Sequence, residues 1–293
     1  MSRKKSPENH PVQAKNCGNE VTALLNIVSQ MDNRGNQMPH GRDNTQVEQL
    51  PTRVSGYPSK LIGRADVARG TMVFHFERPS NFVFRAGQSL DLSFLALTEE
   101  PPQRLTHTLS IANDPSDEKL TVVTRMRDTA FKRSLSALPI GTEVLIEGPM
   151  GSFTLHNNTA RPAVLLAGGI GIAPFLSIVS HAQKEGLRHR IILFYANRLL
   201  EDAAFLDGLR DLEHLNPRFS FVPTFTRLNA DRGEWKGETG HITPEMLHRR
   251  VGKLQGPIFY IAGPLSMVAA ARHTLVEAGV DEDDIRTEEF AGY

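Results

Sequence analysis

The sequence predicts two domains, an antiparallel β-barrel followed by a parallel-sheet α/β domain, and three observations carry that expectation. First, 293 residues with 40% hydrophobic and 23% charged side chains suffice for two ordinary cores. Second, short runs of β-branched and aromatic residues, bounded by Gly, Pro, Asn and Asp, fill the segment from Thr52 to Asn158. Third, continuous apolar runs alternate with amphipathic stretches from residue 159 to 293.

Residues 1–51 precede both and read as a polar leader rich in Asn, Gln, Lys and Pro, for which disorder is the expectation. Its one apolar patch, Val21 to Val28, is long enough for two helical turns, so a helix that docks a partner is an alternative. A true start at Met31 or Met38 is another.

Within 52–158, "TMVFHFERP", "QSLDLSFLAL", "THTLSIAND", "KLTVVTRMR" and "TEVLIEGPMGSFTL" each read as strands. Strands this short and this closely spaced suggest a small antiparallel barrel or sandwich. One helix interrupts them, Thr129 to Leu138, ended by Pro139 and Gly141.

Within 159–293, "PAVLLAG", "RIILFYAN", "FSFVPTFT", "PIFYIAG" and "IRTEEF" read as strands. The helices between them are Pro174 to Glu185, "EDAAFLDGLRDLEHL", "TPEMLHRRVG" and "LSMVAAARHTLVEAG". Apolar strands alternating with helices mean a parallel sheet covered on both faces, a Rossmann-like arrangement.

The stretch "LLAGGIGIAPFLSIV" joins the first of these strands to the first helix. A turn this tight favours residues tolerant of positive φ, which Gly168, Gly169 and Gly171 supply. Bare backbone also admits phosphates to a helix N-terminus, where free N–H groups and the dipole favour anions. Pro174 fits the first helical turn, whose N–H lacks a partner in any case. The spacing is G-x-G-x-x-P and not G-x-G-x-x-G, so a turn without a ligand and a nucleotide site both remain open on the glycines alone. "IAGPLSMV" places Gly263 and Pro264 at the end of a second strand before a helix, and ligands of open parallel sheets bind at such ends.

Bulk composition narrows the alternatives. Lys plus Arg and Asp plus Glu each number 33, so no global field draws the chain to nucleic acid or an anionic membrane. The single cysteine, Cys17, excludes an internal disulfide framework, a zinc–cysteine site and a cysteine-ligated iron–sulfur cluster within this chain, and reads as a spectator thiol. No apolar run approaches the ~20 residues needed to span a bilayer, and the basic N-terminus lacks a signal core, so a cytoplasmic protein is expected. The acidic run Asp281 to Asp284 reads as a solvated loop and the histidines show no ligand spacing, so no metal site is expected. The lone tryptophan, in "EWKGETG", is expected to pack a loop.

Four motifs together, "GPMGSFTL", "AGGIGIAP", "AGPLSM" and "EEF", resemble the ferredoxin–NADP reductase superfamily across Thr52 to Tyr293. The resemblance implies FAD along the barrel and NADP or NAD on the α/β domain. It further implies hydride transfer between two aligned rings and electrons passed to a separate acceptor: a ferredoxin, an oxygenase component, a quinone or ferric iron. By this resemblance Gly168, Gly169, Gly171 and Pro174 cradle the pyrophosphate of the nicotinamide nucleotide, and Gly263, Pro264 and Met267 line its nicotinamide side. Glu288 and Phe290 correspond to the C-terminal acid and the aromatic over the flavin, with Tyr293 a rival for the stacking role. Ala262 stands where relatives often carry a cysteine.

The family's flavin signature, R-x-Y-S or R-x-Y-T, falls on His107, Thr108, Leu109 and Ser110. Ser110 keeps the hydroxyl for the flavin ring, but the phosphate-binding arginine has become His107 and the stacking aromatic Leu109. A charge-assisted hydrogen bond to phosphate is worth ~1.5–3 kcal/mol and aromatic stacking ~0.5–1.5 kcal/mol, so uncompensated losses would weaken FAD about ten- to a thousandfold. Compensation is at hand in Arg125, Arg127 and Lys132, with Thr129 opening the helix; a merely solvated basic face is the alternative. Arg198 and Arg227 follow the second and third strands where a 2′-phosphate would sit, with no acid beside either, which favours NADPH. His107 and Leu109 also leave open a degenerate member, a binding or regulatory subunit with weak or no flavin.

Overall fold

The computed structural model describes residues 56–96, 103–228 and 235–290. The leader with Cys17 and the Val21–Val28 patch, and Tyr293, lie outside the described residues.

The first sheet is antiparallel. Its strands are β1 (Tyr57–Ala68), β2 (Thr71–Glu77), β3 (Ser89–Ala96), β4 (Gln103–Ser110), β5 (Lys119–Arg125) and β6 (Glu143–Met150). Their spatial order is β4-β3-β6-β1-β2-β5, and a bridge from Ile111 to Val122 closes the two ends into a barrel. Phe74, Phe76, Leu90, Leu92, Leu120 and Ile146 fill it. Helix α1 (Ala130–Ala137) plugs it with Phe131 and Leu135, and Thr129 caps α1 by accepting a hydrogen bond from the Lys132 amide.

β1 was not among the expected strands. Its sequence, "YPSKLIGRADVA", buries only Ser59, Leu61 and Val67, too sparse a pattern to stand out. It is held as a strand because β6 pairs its first residues and β2 the rest, with register shifts after Leu61 and Asp66.

The second sheet is parallel, in the order β10-β9-β8-β7-β11-β12. It runs β7 (Ala163–Gly168), α2 (Ile172–Lys184), β8 (Ile191–Asn197), α3 (Leu206–Leu215) and β9 (Phe219–Phe225), then β10 (Glu238–Thr239) and α4 (Pro244–Val251). β11 (Ile258–Pro264), α5 (Leu265–Glu277) and β12 (Ile285–Phe290) complete it. Alternate residues of β7 serve opposite faces: Ala163, Leu165 and Ala167 pack with the α2 and α3 side, Val164 and Leu166 with the α4 and α5 side. That division explains the unbroken apolar runs.

Two helix boundaries move. α2 begins at Ile172, two residues before Pro174, which sits inside its first turn. The helix expected from Glu201 begins at Leu206, because Leu200–Asp202 form a 3₁₀ turn and Phe205 adopts a left-handed φ of 61°. Asp202 is turned back to accept from the Leu199 amide at 3.2 Å. The small strand β10 lies in the tryptophan loop, where Trp235 packs edge-on to Phe225 and donates to the Glu238 carbonyl.

The two sheets share one apolar core: Val67, Val73, Ala112 and Val123 of the barrel belong to the same cluster as Phe175 and Ile178 of α2. Polar ties flank it. Ser177 donates to the Asn113 carbonyl at 2.6 Å, and His181 meets Asp114 at 2.9 Å. Arg69 donates to Asp202 at 2.7 Å. Among the described residues no helix is long and apolar enough to cross a membrane, and no cluster of His, Cys, Asp and Glu could hold a metal.

Candidate functional site

The glycine turn lies between β7 and α2, and β7 is flanked by β8 on one side and β11 on the other. The chain departs from β7 toward β8 and returns at β11, so the switch point of the sheet falls between β7 and β11. The three glycines serve different needs. Only Gly169 has a positive φ, 53°. Gly171 is at −59°, and a Cβ there would stand 2.1 Å from the Ala262 carbonyl oxygen. Positive φ is therefore required at one position, and elsewhere the absent side chain lets β11 close against the turn. Gly168 similarly faces Met267 and Pro264, whose Sδ and Cδ lie 2.6 and 3.1 Å from where its Cβ would be. The "GGIGIAP" and "AGPLSM" motifs are thus in direct contact.

A cavity of about 350 Å³ opens over this junction, lined by Gly168, Gly169, Pro264, Ser266 and Met267. Its far wall is built from the carboxyl ends of β8 and β9: Asn197, Arg198, Asp202 and Thr226, with His241 beyond β10. Gly171, Gly263 and Pro174 are buried beneath it and shape the turn without lining the cavity. Arg227 is exposed and does not line it either; its backbone amide bonds the Arg198 carbonyl.

Arg125 and Arg127, at the end of β5, belong both to this cavity and to a second one on the barrel. The second is lined by His107, Thr108, Leu109, Ser110, Lys132 and Phe290, among others, so the barrel residues expected around a flavin converge on one place. Leu109 is 5% exposed and packs into the barrel core. His107 lies against Phe131, with ring centroids 5.1 Å apart. Burial, together with the charge of Lys132, holds the His107 imidazole below its ordinary range despite Asp91, so the ring is neutral near pH 7. Lys132 is half-buried, and burial with the neighbouring Arg127 lowers its ammonium as well. The Thr129 hydroxyl is occupied as the cap of α1 and does not line the cavity.

Ser110, which lines this cavity, donates at 3.2 Å to Oε1 of Glu288, which lines a separate cavity with Ser89 and Gly151. Burial pushes the Glu288 carboxyl up to about 7, opposed by that hydrogen bond, and its Oε2 has no partner in the protein. A half-buried acid titrating near neutrality is suited to hold or release a proton.

The features that sequence reasoning missed lie at strand ends. Asn197 is the last residue of β8, and Thr226 follows β9. The rule that ligands gather at carboxyl ends of parallel strands reaches both. Asp202 was hidden by the expectation of a helix there. Its carboxylate is buried, 2.7 Å from Arg69 and 3.7 Å from Arg125, so an acid does line the cavity beside Arg198.

The residues present fit FAD on the barrel. Lys132, Arg125 and Arg127 supply the cations a pyrophosphate needs, and the unpartnered Glu288 oxygen beside Ser110 suits a polar ring edge.

Residues 165–273 match the oxidoreductase NAD-binding domain family. The chain is 26% identical over 238 residues to the phenol 2-monooxygenase reductase component DmpP of Pseudomonas sp. (strain CF600), covering 80% of this chain and 65% of that one. It therefore spans less than two thirds of that relative. Among solved structures, it is similar to a ferredoxin NADP+ reductase from Neisseria gonorrhoeae with bound FAD and NADP, at TM-score 0.69 and 22% identity, covering 81% of this chain and 99% of that one. It is likewise similar to the flavohem-like FAD/NAD-binding domain of nitric oxide dioxygenase from Vibrio cholerae O1 biovar El Tor, at TM-score 0.71 and 16% identity, covering 80% and 99%. With a barrel closed by Ile111 and Val122 and a parallel sheet whose strand order reverses at its glycine turn, the chain has the two-domain fold of these solved structures, and its residues 165–273 match the oxidoreductase NAD-binding domain.

Proposed function

We propose that this chain is an FAD-dependent NAD(P)H oxidoreductase that passes electrons to a separate acceptor. The observation that carries the reading is the shared wall of the two cavities: Arg125 and Arg127 line both, so a dinucleotide site on the barrel abuts a dinucleotide site on the parallel sheet. When bound, FAD supplies the chemistry that joins a two-electron hydride donor to one- or two-electron acceptors. The chain's own residues hold, orient and protonate. Lys132 and the β5 arginines bind phosphate, and Gly168, Gly169, Pro264 and Met267 form the floor that positions the nicotinamide nucleotide. Ser110 and Glu288 hold a proton at the ring edge, with Phe290 beside them.

The acceptor we favour is an oxygenase component, because relatives matched over most of this chain are reductase components of monooxygenases. With one cysteine, this chain does not itself ligate a four-cysteine cluster. We assign 52–158 to the flavin and 159–293 to the nicotinamide nucleotide, and place the protein in the cytoplasm, where its reductant is supplied. The test is an anaerobic titration of FAD-reconstituted protein with NADPH and with NADH, following flavin absorbance. Bleaching at stoichiometric nucleotide is expected; a flavin that neither nucleotide bleaches overturns the reading.

A further inference from the structure

Asn197 is 6% exposed, yet neither Nδ2 nor Oδ1 of its side chain has a hydrogen-bonding partner in the protein. Its backbone is well served: the Asn197 carbonyl accepts from the Thr226 amide at 2.9 Å, and β8 pairs β9 through to Asn197 and Phe225. Only the amide is left over. A buried polar group without a partner costs free energy, so it persists where something else fulfils it.

The position says what that ligand is. Asn197 lines the cavity over the glycine turn, one residue beyond Ala196, which pairs Gly168 across the sheet. A pyrophosphate seated on Gly168 and Gly169 would bring the adjoining ribose to Asn197. The free amide offers both a donor and an acceptor. A hydroxyl answers both, whereas a phosphate dianion answers only the donor and faces Oδ1 with like charge. Asp202 lines the same cavity with its carboxylate already paired to Arg69 and Arg125, so the preference for a neutral group rests on the Asn197 amide.

Resting on the oxidoreductase reading above, we propose that the Asn197 amide holds a free hydroxyl of the adenosine ribose, which makes this chain selective for NADH over NADPH. Arg125, Arg127 and Arg198 line the same cavity, where they serve the pyrophosphate that ADP-ribose and its 2′-phosphorylated form share.

The experiment is calorimetric binding of ADP-ribose and of 2′-phospho-ADP-ribose to flavin-loaded wild type, Asn197→Leu and Asn197→Ala. Wild type should prefer ADP-ribose about tenfold or more, and both variants should lose about tenfold toward ADP-ribose while 2′-phospho-ADP-ribose changes little. A structural role is separated by melting the free proteins. Removing an unpartnered amide should raise the melting temperature of Asn197→Leu by ~2–4 °C. A wild type that prefers the 2′-phosphorylated ligand or binds neither, variants with unchanged ADP-ribose affinity, or an Asn197→Leu that melts lower, overturns the proposal. If ADP-ribose binds as stated but NADH leaves the flavin oxidised, the ribose contact stands and the oxidoreductase reading fails.

Discussion

Ser110 on the barrel and Glu288 on the last strand of the parallel sheet are joined by a hydrogen bond of 3.2 Å, which ties the two sheets together at the proposed ring edge. Burial raises Glu288 to about 7 and the bond from Ser110 pulls it down. With Glu288 as proton holder, turnover of NAD(P)H should fall as pH rises through about 7. Ser110→Ala removes the lowering contact, so the midpoint should move up. Glu288→Gln should abolish this limb of the profile. A pH–rate profile from 5 to 9 that is the same in all three proteins would remove Glu288 from the mechanism. Stability gives an independent sign. A carboxyl raised above its ordinary 4.5 destabilises the fold as pH rises from there to about 7, so at pH 8 Glu288→Gln should be at least as stable as the parent.

Lys132 shares its cavity with a neutral His107 and with Arg125 and Arg127, and we propose it as one of the cations that hold the flavin phosphates. Lys132→Ala should weaken FAD by about ten- to a hundredfold, the worth of one charge-assisted bond to phosphate. Arg133→Ala, on the exposed face of the same helix and paired with Asp128, should leave affinity unchanged. Adding His107→Arg to Lys132→Ala should restore part of the loss. Fluorescence titration of flavin decides it, and equal affinity in Lys132→Ala and wild type would send the phosphates elsewhere.

Gly171 tests how the turn is built. An alanine there places its Cβ 2.1 Å from the Ala262 carbonyl, and two packed backbones must part to admit it. We expect Gly171→Ala to cost about 3 kcal/mol or more and to lower the yield of folded protein. Gly186→Ala is the contrast: it has open space but a φ of 58°, so its cost should be only about 1 kcal/mol. Urea unfolding of both variants measures the difference; equal small costs would mean that β11 does not close on the turn.

These residues show which parts of the molecule were legible in the sequence. Apolar runs such as Ala163–Gly168 announce themselves, because a strand buried on both faces has no polar positions to interrupt it. β1 does not, because its residues gain their strand state from partners on both edges. The cavities were legible where a motif carried them, at Gly168, Gly169 and Ser110, and illegible where tertiary pairing decided. Nothing in "NRLLED" says that Asp202 will turn back to Leu199 and Arg69, or that the Asn197 amide will be left without a partner.

The tie between His181 on α2 and Asp114 in the barrel should make the joint between the sheets pH-dependent. Burial works to raise Asp114, but hydrogen bonds from His181 and Ser116 outweigh it and, with the Lys184 charge, bring it down to about 2. The same bond raises His181 above its ordinary value. The signs follow separately. The aspartate's contribution is present above its ordinary 3.8 and is lost as pH falls through about 2. The histidine's contribution is complete below 6.5 and is lost as pH rises through its raised value. Both are therefore present between about pH 4 and 6.5. His181 is one-third exposed at its side chain and Lys184 stays 3.7 Å from Asp114, so the loss in His181→Ala is smaller than for a fully buried pair. At pH 6 it should cost about 1–2 kcal/mol in denaturant unfolding. As pH rises through the raised value of the imidazole and it loses its charge, the cost should shrink to that of a neutral hydrogen bond. A loss that stays the same from pH 6 through alkaline pH would show that charge plays no part in the joint.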